Sequence, residues 1–565
     1  MIRPVRATAL AAAAVSAALV VTACGGSEKS PDDGGQGKAA PAAGAQDLNP
    51  HPVGDLKQGG VFKVSTQQWI NQFNRYQTDG SQGDAASITA LVEPDLFTFD
   101  AKGVAHSNPD FLVSAKVVST DPQVVSYELN PKAKWSDGKP LGVADFEAQW
   151  KALSGKDKGF QVVSTSGYDQ IAKVEQGKDE HEVRVTFATP FADWQMLFDP
   201  LLPASLNATP DSFNKSWTGR IPVTGNAWKV GQYDKTAKTI TLVPDPAWWG
   251  EKPRLDKYIF WAMDSKARTD AYLNKEIDET PASAPEAYQR LKGDKNTDFR
   301  IGARWDQVTL SMNGARGPLQ DVRARQAVTL GVDREALAKV AGKDLPFQPK
   351  VVGNHFFMPN QEGYRDNAGA FGKRDVERAK KLLDEAGWKD EGAGKPRTKD
   401  GKPLALEYVM PADAISLAED QAKITQQMLG EIGIKVDLRK VPADDYFDRY
   451  VHRGNYDLTQ FRQVDRIYRS DSYQDYRQPD GDNSFNNHGR VSSPEVDKLL
   501  VEASRTADVQ KQIALYNEAD AKVWELGHSV PLYQRPQIIA IRKGLANTGA
   551  PGLGDENSVR IGWLK

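Results

Sequence analysis

The amino-acid sequence predicts an α/β protein with two mixed bodies in series. Short segments in which apolar and polar residues alternate, the period of a strand, are interspersed with segments whose apolar residues recur every three to four positions, the period of a helix. Residues 404–441 have the pattern of a strand, a helix and a second strand, which together form a βαβ unit. The chain then ends in a strand, after the helices of the second body.

The first 23 residues have the three parts of a secretory signal. Arg3 and Arg6 give a basic start, residues 7–21 are almost wholly apolar, and small residues precede Cys24. The apolar run is too short and too rich in alanine for a membrane span, which needs about 20 strongly apolar residues. Residues 21–24, Val-Thr-Ala-Cys, resemble a bacterial lipobox, which predicts that Cys24 is lipidated and becomes the mature N-terminus. The alternative is an ordinary signal peptide with an unmodified cysteine.

Composition limits what the remainder of the chain can be. Residues 24–55 are predicted to form a flexible tether, because Gly, Ala, Pro, Ser and charged residues dominate the segment. Cys24 is the single cysteine of the 565-residue chain, so we expect no disulfide in the body. The formal net charge of −3 is small and mixed in sign, which argues against a nucleic-acid-binding surface. Thirteen tryptophans and seventeen tyrosines suit either a core or a cleft lined by aromatic rings.

The first body is predicted to be rich in strands. We place them at residues 59–66, 123–131 and 182–190 and on either side of a loop within 239–263. A helix should begin near Val143, after a turn at Ser136-Asp137-Gly138. Its apolar face would carry Phe146, Trp150 and Leu153.

The second body is predicted to contain more helix. Asp321, Asp333 and Asp375 each precede an amphipathic segment and are predicted N-caps. After the βαβ unit we expect a strand at 455–461, helices within 494–526 and a final strand at 530–543.

Motifs of catalysis are missing from the sequence. There is no Gly-x-Ser-x-Gly elbow, no His-Glu-x-x-His pair and no phosphate-binding loop. The seven histidines show no spacing typical of metal ligands. We therefore predict that the protein is not an enzyme and that it uses no metal or other cofactor.

An ordered set of motifs runs through the body. The first motif is the stretch KWSDGKPLGVADFEAQW. Its motif positions are Trp135, Ser136, Asp137, Gly138, Pro140, Leu141, Asp145 and Phe146. Further stretches are TGNAWKVGQYD with PDPAWWG, VRARQAVTLGVDREAL, RDVERAKKLLDEAGW, QQMLGEIGIKV and SPEVDKLL, with HSVPLYQ as a looser match. Together they resemble the family 5 extracytoplasmic solute-binding proteins, the peptide/nickel-type receptors of ABC importers, over about residues 56–565.

This resemblance implies a two-lobed, type II periplasmic-binding-protein-like fold with a subdomain inserted in the first lobe. The ligand would lie between the lobes, and hinge closure would bury it. The implied bounds are 56–91, 204–311 and 529–565 for the first lobe, 92–203 for the inserted subdomain, and 312–528 for the second lobe.

The function implied by the resemblance is capture of oligopeptides, or of a similar extended solute, for an ABC importer. The expected partners are a peptide ligand, the ABC permease and ATPase subunits and, through the lipid anchor, the outer face of the cytoplasmic membrane. The receptor itself is expected to be a monomer. The alternative is a lipoprotein of cell-envelope assembly or signalling on the same fold, which would bind a lipoglycan precursor. The stretches SGYDQI and FADWQMLFDPLLPASL resemble that second branch.

Candidate ligand residues follow from the same resemblance. Peptide-binding relatives carry a Gly-Trp and then an Asp that pairs with the peptide α-ammonium; here the stretch is YDLTQFRQVDRIYR, and Asp465 falls one residue out of step. We predict that Asp465 meets a cationic ligand group, the alternative being a strand-end acid paired with Arg466 or Arg469. Trp69 is a second candidate ligand residue, and the alternative is that its side chain simply packs in the core. The other candidates are Arg462, Gln463, Gln68, Asn71, His355 and Phe356.

Overall fold

The structure, a computed structural model, describes residues 46–565 apart from 413, 415, 443, 444, 465, 466 and 480–483. The strands are β1 Val61–Thr66, β2 Phe97–Phe99, β3 Ala105–Ser107, β4 Leu112–Thr120, β5 Gln123–Leu129, β6 Ile171–Gln176, β7 Glu182–Phe187, β8 Trp228–Asp234, β9 Thr239–Pro244, β10 Lys257–Ala262, β11 Glu279–Pro281, β12 Thr297–Met312, β13 Thr398–Lys399, β14 Lys402–Pro403, β15 Ala405–Pro411, β16 Lys435–Val441, β17 Leu458–Val464, β18 Ser529–Arg542, β19 Leu545–Ala546 and β20 Gly562–Trp563.

The helices complete the α/β composition. They are α1 Gly83–Thr89, α2 Val143–Leu153, α3 Ala204–Asn207, α4 Pro210–Lys215, α5 Ser265–Leu273, α6 Pro285–Leu291, α7 Val322–Gly331, α8 Arg334–Ala341, α9 Val376–Glu385, α10 Ser416–Gly430, α11 Tyr473–Tyr476, α12 Pro494–Arg505 and α13 Val509–Glu525. Among the described residues, no helix has the length and apolar character that crossing a membrane requires.

Two four-stranded sheets form the first lobe and its inserted subdomain. In the first sheet, of order β1-β10-β9-β8, β1 runs parallel to β10. The second is antiparallel, of order β4-β5-β7-β6. Burial alternates along β1, where Phe62 and Val64 point into the core, so one face of this strand is covered by apolar side chains.

A six-stranded sheet of order β11-β18-β12-β17-β15-β16 joins the first lobe to the second. The long strands β12 and β18 pair antiparallel from Thr297 with Arg542 at one end to Ser311 with Ser529 at the other. The first-lobe strand β11 pairs with one end of β18, and β17 pairs with the opposite end of β12. These two strands therefore carry the chain across the region between the lobes.

The sequence motif around Trp135 is a structural junction. The Asp145 carboxylate accepts hydrogen bonds from Trp135 Nε1 and Gly142 N, both at 3.1 Å, and from Ala204 N at 2.7 Å. Asp145 is 5% exposed. It thereby fixes the preceding turn, the start of α2 and the start of α3 to one another, which explains why the motif combines a tryptophan with a helix-initiating carboxylate.

Local signals in the second lobe gave correct helix starts. Asp321, Asp333 and Asp375 each accept a backbone N–H from the first turn of α7, α8 and α9, respectively, as predicted. The strand expected at 455–461 lies instead at Leu458–Val464, because its pairing with β12 runs from Met312–Leu458 to Asp306–Val464. This shift places both Arg462 and Gln463 inside the strand.

The segment 46–55 packs against the end of the chain. Asp47 and Ala550 exchange two backbone hydrogen bonds of 2.9 Å, and His51 N donates to Asn547 Oδ1 at 2.7 Å. The last ten residues of the segment that composition assigns to the tether therefore make contacts with the body. Their partners lie about 500 positions away, so local composition gave no sign of them.

Candidate functional site

Three arginines converge on one buried carboxylate where β12, β17 and β18 meet. The side chain of Asp306 is 1% exposed, and its Oδ2 lies 2.7 Å from Arg462 Nη2. Arg304 Nε and Arg535 Nη1 lie 3.6 and 3.7 Å from the same oxygen. The arginine side chains remain 32–45% exposed, so each can also meet a ligand. We call these four residues the arginine cluster.

An irregularity in β12 builds the cluster. The pairing of β12 with β18 shifts register between Ala303 and Gln307, which displaces Arg304 and Asp306 from the regular ladder. Burial lowers the pKa of Arg304, Asp306 raises it, and Arg462 and Arg535 lower it further. The arginines therefore repel one another as well as attract Asp306, and an added anion would relieve that repulsion.

A polar cavity of about 160 Å³ lies against β17 and β12. It is lined by Thr309, Ser311, Phe447, Phe461, Arg462, Gln463, Asp475, Tyr476, Asn486, His488, Gly489, His528 and Ser529. Burial lowers the pKa of His488 to about 4 and takes that of His528 well below its usual range, so both imidazoles are neutral at pH 7. Thr309 is 2% exposed, and its hydroxyl has no hydrogen-bond partner among the described residues.

A larger, mainly apolar cavity of about 430 Å³ shares the residues Phe447, Phe461 and Arg462 with the polar one. Its other lining residues are Tyr408, Met410, Pro411, Ala414, Ala418, Tyr446 and Gln460. Within the described part of the chain, β15 pairs with β17 only at Leu458 and Thr459. Among the described residues, the second half of β17 therefore presents a backbone edge beside this cavity, on which the Gln460 carbonyl accepts from Tyr446 Oη at 3.2 Å. An edge of this kind can accept an extended chain as an additional strand.

The structure places Arg462 and Gln463 together in this site. Both line the polar cavity, and Gln463 Nε2 donates to Tyr476 Oη at 3.4 Å. Asp465, with Arg466, lies outside the described residues, so its predicted contact with a cationic ligand group stays a prediction. Cys24 also lies outside the described residues.

His355 and Phe356 stand behind the cavity wall. His355 is 1% exposed, and its Nδ1 lies 2.7 Å from Asp520 Oδ1. The ring of Phe356, itself 2% exposed, packs against that of Tyr476 at a centroid distance of 4.7 Å. Tyr476 Oη donates to the His355 carbonyl at 3.3 Å. In this conformation both residues support Tyr476, which does line the cavity.

Gln68, Trp69 and Asn71 follow β1 and make their described contacts within the first lobe. Gln68 Nε2 donates to Gln82 Oε1 at 2.9 Å, and its backbone N–H donates to Asp84. Trp69 is partly buried against the first-lobe core, which is the alternative role noted above. Asn71 is exposed, and its carbonyl accepts from Gly219 N. The described contacts thus leave the side chains of Gln68 and Asn71 on the first-lobe surface.

The inserted subdomain is bonded to the second lobe through Asp193, which is 6% exposed. Its Oδ2 accepts from Ser470 N at 2.8 Å and Ser470 Oγ at 2.7 Å, and its Oδ1 accepts from Gln512 Nε2 at 2.9 Å. Beside it, Ala192 N donates to the Ser504 carbonyl at 2.8 Å. We call Asp193, Ser470 and Gln512 the clasp, since their bonds connect the inserted subdomain with the second lobe.

Of the arginine cluster and the clasp, only Arg462 was predicted from the sequence. A signal for the cluster was present in ARWDQVTL, where an arginine and an aspartate flank a tryptophan inside a predicted strand segment. Asp193 lies in a loop without a distinctive pattern, so no local signal indicated its partners. The resulting site combines fixed charges, neutral polar groups and an apolar recess, which suits noncovalent recognition of an extended solute.

The fold and this site can be set beside known proteins. A model of the bacterial extracellular solute-binding proteins, family 5 Middle, matches residues 107–485. The chain belongs to this family. It is also 34% identical over 561 residues to the oligopeptide-binding protein OppA of Mycobacterium tuberculosis, covering 97% of this chain and 92% of that protein. Family 5 membership makes the protein an extracytoplasmic solute-binding protein of the kind that serves ABC import.

Two further comparisons mark the breadth of this family. The structure of the periplasmic EDTA-binding protein EppA superposes with a TM-score of 0.81 at 27% identity, covering 92% of this chain and 98% of that one. The probable monoacyl phosphatidylinositol tetramannoside-binding protein LpqW of Mycobacterium tuberculosis is 28% identical over 289 residues, which covers 49% of this chain and 45% of that protein. The two-lobed fold is therefore shared with a protein named for EDTA binding, and about half of the chain is similar in sequence to a protein named for a mannoside ligand.

Proposed function

We propose that this family 5 protein captures oligopeptides between its lobes and delivers them to an ABC permease. The observation that carries the proposal is the similarity to OppA along nearly the whole chain, cleft-forming strands included. The half-free edge of β17, with a polar cavity and an apolar cavity beside it, supports the same conclusion. A peptide laid along that edge could form main-chain hydrogen bonds and direct its side chains into the two cavities.

Candidate ligand contacts within this proposal come from both lobes. Arg462, Gln463 and Asp465 would meet the ligand from the second lobe, and Gln68, Trp69 and Asn71 from the first. His355 and Phe356 would act indirectly, by positioning Tyr476. The receptor is proposed to work as a monomer without a cofactor and without catalysis.

The test is to identify what the protein carries. Residues 46–565 are purified and then denatured, and the ligands that are released are analysed by mass spectrometry. Recovery of peptides supports the proposal. Isothermal titration calorimetry with alanine peptides of two to five residues then measures affinity. Failure to recover or bind any peptide contradicts the proposal.

A second candidate function is supported by the similarity to LpqW over about half of the chain. On this alternative the cleft binds a lipoglycan precursor and serves envelope assembly or signalling. Recovery of a mannosylated phosphoinositide from the denatured protein would favour it over peptide import, as would the lack of an adjacent permease and ATPase in the genome.

Attachment to the outer face of the cytoplasmic membrane through a lipid on Cys24 is also proposed. A single acyl chain binds a membrane only weakly, so stable anchoring needs more than one chain. Cys24→Ala should give unprocessed or released protein in cell fractionation. An unchanged membrane fraction for this variant contradicts lipidation.

A further inference from the structure

We propose that contact between the lobes protonates an acid pair, Asp95 and Asp199, so that the receptor takes up a proton as it binds its ligand. Asp95 lies just before β2 and Asp199 lies near the end of the inserted subdomain, and neither lines the two cavities described above. The inference rests on the proposed function in that a peptide is used to bring the lobes together. Its consequence is that the affinity for peptide depends on pH.

Backbone hydrogen bonds bring the two carboxyl groups of the acid pair close together. Asp199 Oδ1 accepts from Leu96 N at 2.6 Å and from Phe97 N at 3.2 Å, so Asp199 is bound to the amide that directly follows Asp95. Both aspartates are half-buried. Two carboxylates held in this way repel each other, and protonation of one of them relieves the repulsion.

The described surroundings of the acid pair contain more acids than bases. Arg75 is the cation that lowers the pKa of both aspartates, and its neighbour Tyr76 donates through Oη to the Pro200 carbonyl at 2.8 Å. The further acids are Glu93 and Asp555. Burial raises the pKa of the tyrosines nearby, which therefore stay neutral; they are Tyr76, Tyr127 and Tyr168. One guanidinium cannot balance all of these carboxylates, so the arrangement favours a protonated acid.

The second lobe meets the acid pair through Tyr468. The ring of Tyr468 packs edge-on against that of Phe99 at a centroid distance of 5.9 Å, and Phe99 N donates to Asp555 Oδ2 at 2.7 Å. The Tyr468 hydroxyl is buried and has no hydrogen-bond partner among the described residues. Burial raises the pKa of this hydroxyl, and the carboxylates of Asp199, Asp193 and Asp555 raise it further. Tyr468 therefore shields the pair from water on the side that faces the second lobe.

The direction of the pKa shifts couples the acid pair to closure. Burial raises the pKa of Asp95, and Asp555 raises it further. Burial also raises the pKa of Asp199, and Asp95 adds to the rise. An aspartate in water has a pKa of about 3.9, so separation of the lobes should return the pair toward that value. Closure is therefore favoured below the raised pKa values, and it is weakened as the pH rises through them.

The test counts protons by calorimetry. Tetra-alanine is titrated into the purified protein at about pH 6, where an aspartate in water is ionised, in buffers that differ in their enthalpy of ionisation. The slope of the observed enthalpy against the ionisation enthalpy gives the number of protons taken up per peptide, and we expect about one. The Kd should also rise by roughly threefold to tenfold per pH unit above about pH 5. No uptake with intact peptide binding overturns the inference and leaves the proposed function standing.

Variants assign the proton to the acid pair. Asp199→Asn keeps an acceptor oxygen for the two backbone N–H groups, and it should reduce the uptake to near zero and flatten the pH dependence of Kd. Asp95→Asn should act in the same direction, and it serves as the test if Asp199→Asn does not fold. Glu93→Gln is the matched control, because Glu93 is 1% exposed and burial raises its pKa to about 8, so it keeps its proton at pH 6. Full uptake in both aspartate variants rules out the pair.

A covalent lock makes the test independent of any ligand. Ala192 N donates to the Ser504 carbonyl at 2.8 Å, and Cys24 is the single cysteine of the chain. Ala192→Cys with Ser504→Cys, in a Cys24→Ala background, therefore places one disulfide between the inserted subdomain and the second lobe. The infrared band of protonated carboxyl groups should persist to a higher pH in the oxidised form than in the reduced form. Equal titration of the two forms overturns the inference even where no peptide binds, an outcome that would itself contradict the proposed function.

Discussion

The clasp gives the sharpest expectation about closure. Replacing Asp193 by alanine removes three hydrogen bonds from Ser470 and Gln512 across the lobes. A hydrogen bond to a charged group contributes about 1.5–3 kcal/mol, but water replaces part of each bond when the lobes open. We therefore expect the substitution to destabilise the closed form relative to the open form by about 3 kcal/mol. This free energy corresponds to about a hundredfold change in the equilibrium between the two forms.

This loss should appear as weaker ligand binding. When the binding-competent form is only partly populated, the apparent dissociation constant rises as its population falls. We expect Asp193→Ala to raise the dissociation constant for peptides by about tenfold to a hundredfold, measured by calorimetry. Asp193→Asn, which keeps one acceptor oxygen, should have an intermediate effect.

Two measurements separate closure from general damage. Small-angle scattering should show a radius of gyration for Asp193→Ala that equals or exceeds that of the wild type. Thermal unfolding should show an unchanged melting temperature for the core of each lobe. Asp211→Ala is the control, since Asp211 is an exposed helix residue paired with Lys215. Affinity and radius of gyration both equal to those of the wild type would falsify the clasp.

Three other predictions concern stability. Asp145→Ala removes the acceptor of the buried Trp135 Nε1 and of two part-buried backbone N–H groups, so it should lower the free energy of unfolding by about 3 kcal/mol in thermal or denaturant unfolding. An effect under about 1 kcal/mol contradicts the junction role. Burial raises the pKa of Glu93 to about 8, so the folded protein holds this proton between about pH 4.5 and 8 where the unfolded chain does not, and stability should fall as pH rises through that window. Glu93→Gln should therefore flatten the pH dependence of the melting temperature and stabilise the protein at pH 8, and an unchanged slope counts against it. His355→Ala breaks a buried pair with Asp520 and should lower the free energy of unfolding by about 3 kcal/mol. It should change peptide affinity less than threefold, because Tyr476 is held by the backbone carbonyl of His355. A larger loss of affinity would show that the His355 side chain contacts the ligand.

Much of the secondary structure was accessible from sequence because its causes are local. Asp321, Asp333 and Asp375 cap helices through bonds to residues two or three positions away, so the pattern and its partner lie in the same short stretch. The βαβ unit at 404–441 was equally legible from its periodicity. The strand β17 was displaced by three residues, because β12, about 150 positions earlier in the chain, decides where pairing starts.

The sequence by itself determined the family and the α/β class and singled out one residue of the candidate site, Arg462, because ordered motifs and residue periods are properties of the chain alone. Only the tertiary structure decided the rest of that site. Arg304 and Asp306 join Arg462 and Arg535 through the register shift of β12, and Asp193 meets Ser470 and Gln512 across 277 and 319 positions of sequence. Charges placed at such separations interact only once the sheet and the lobes have formed, since electrostatic energy depends on distance in space and not on order along the chain.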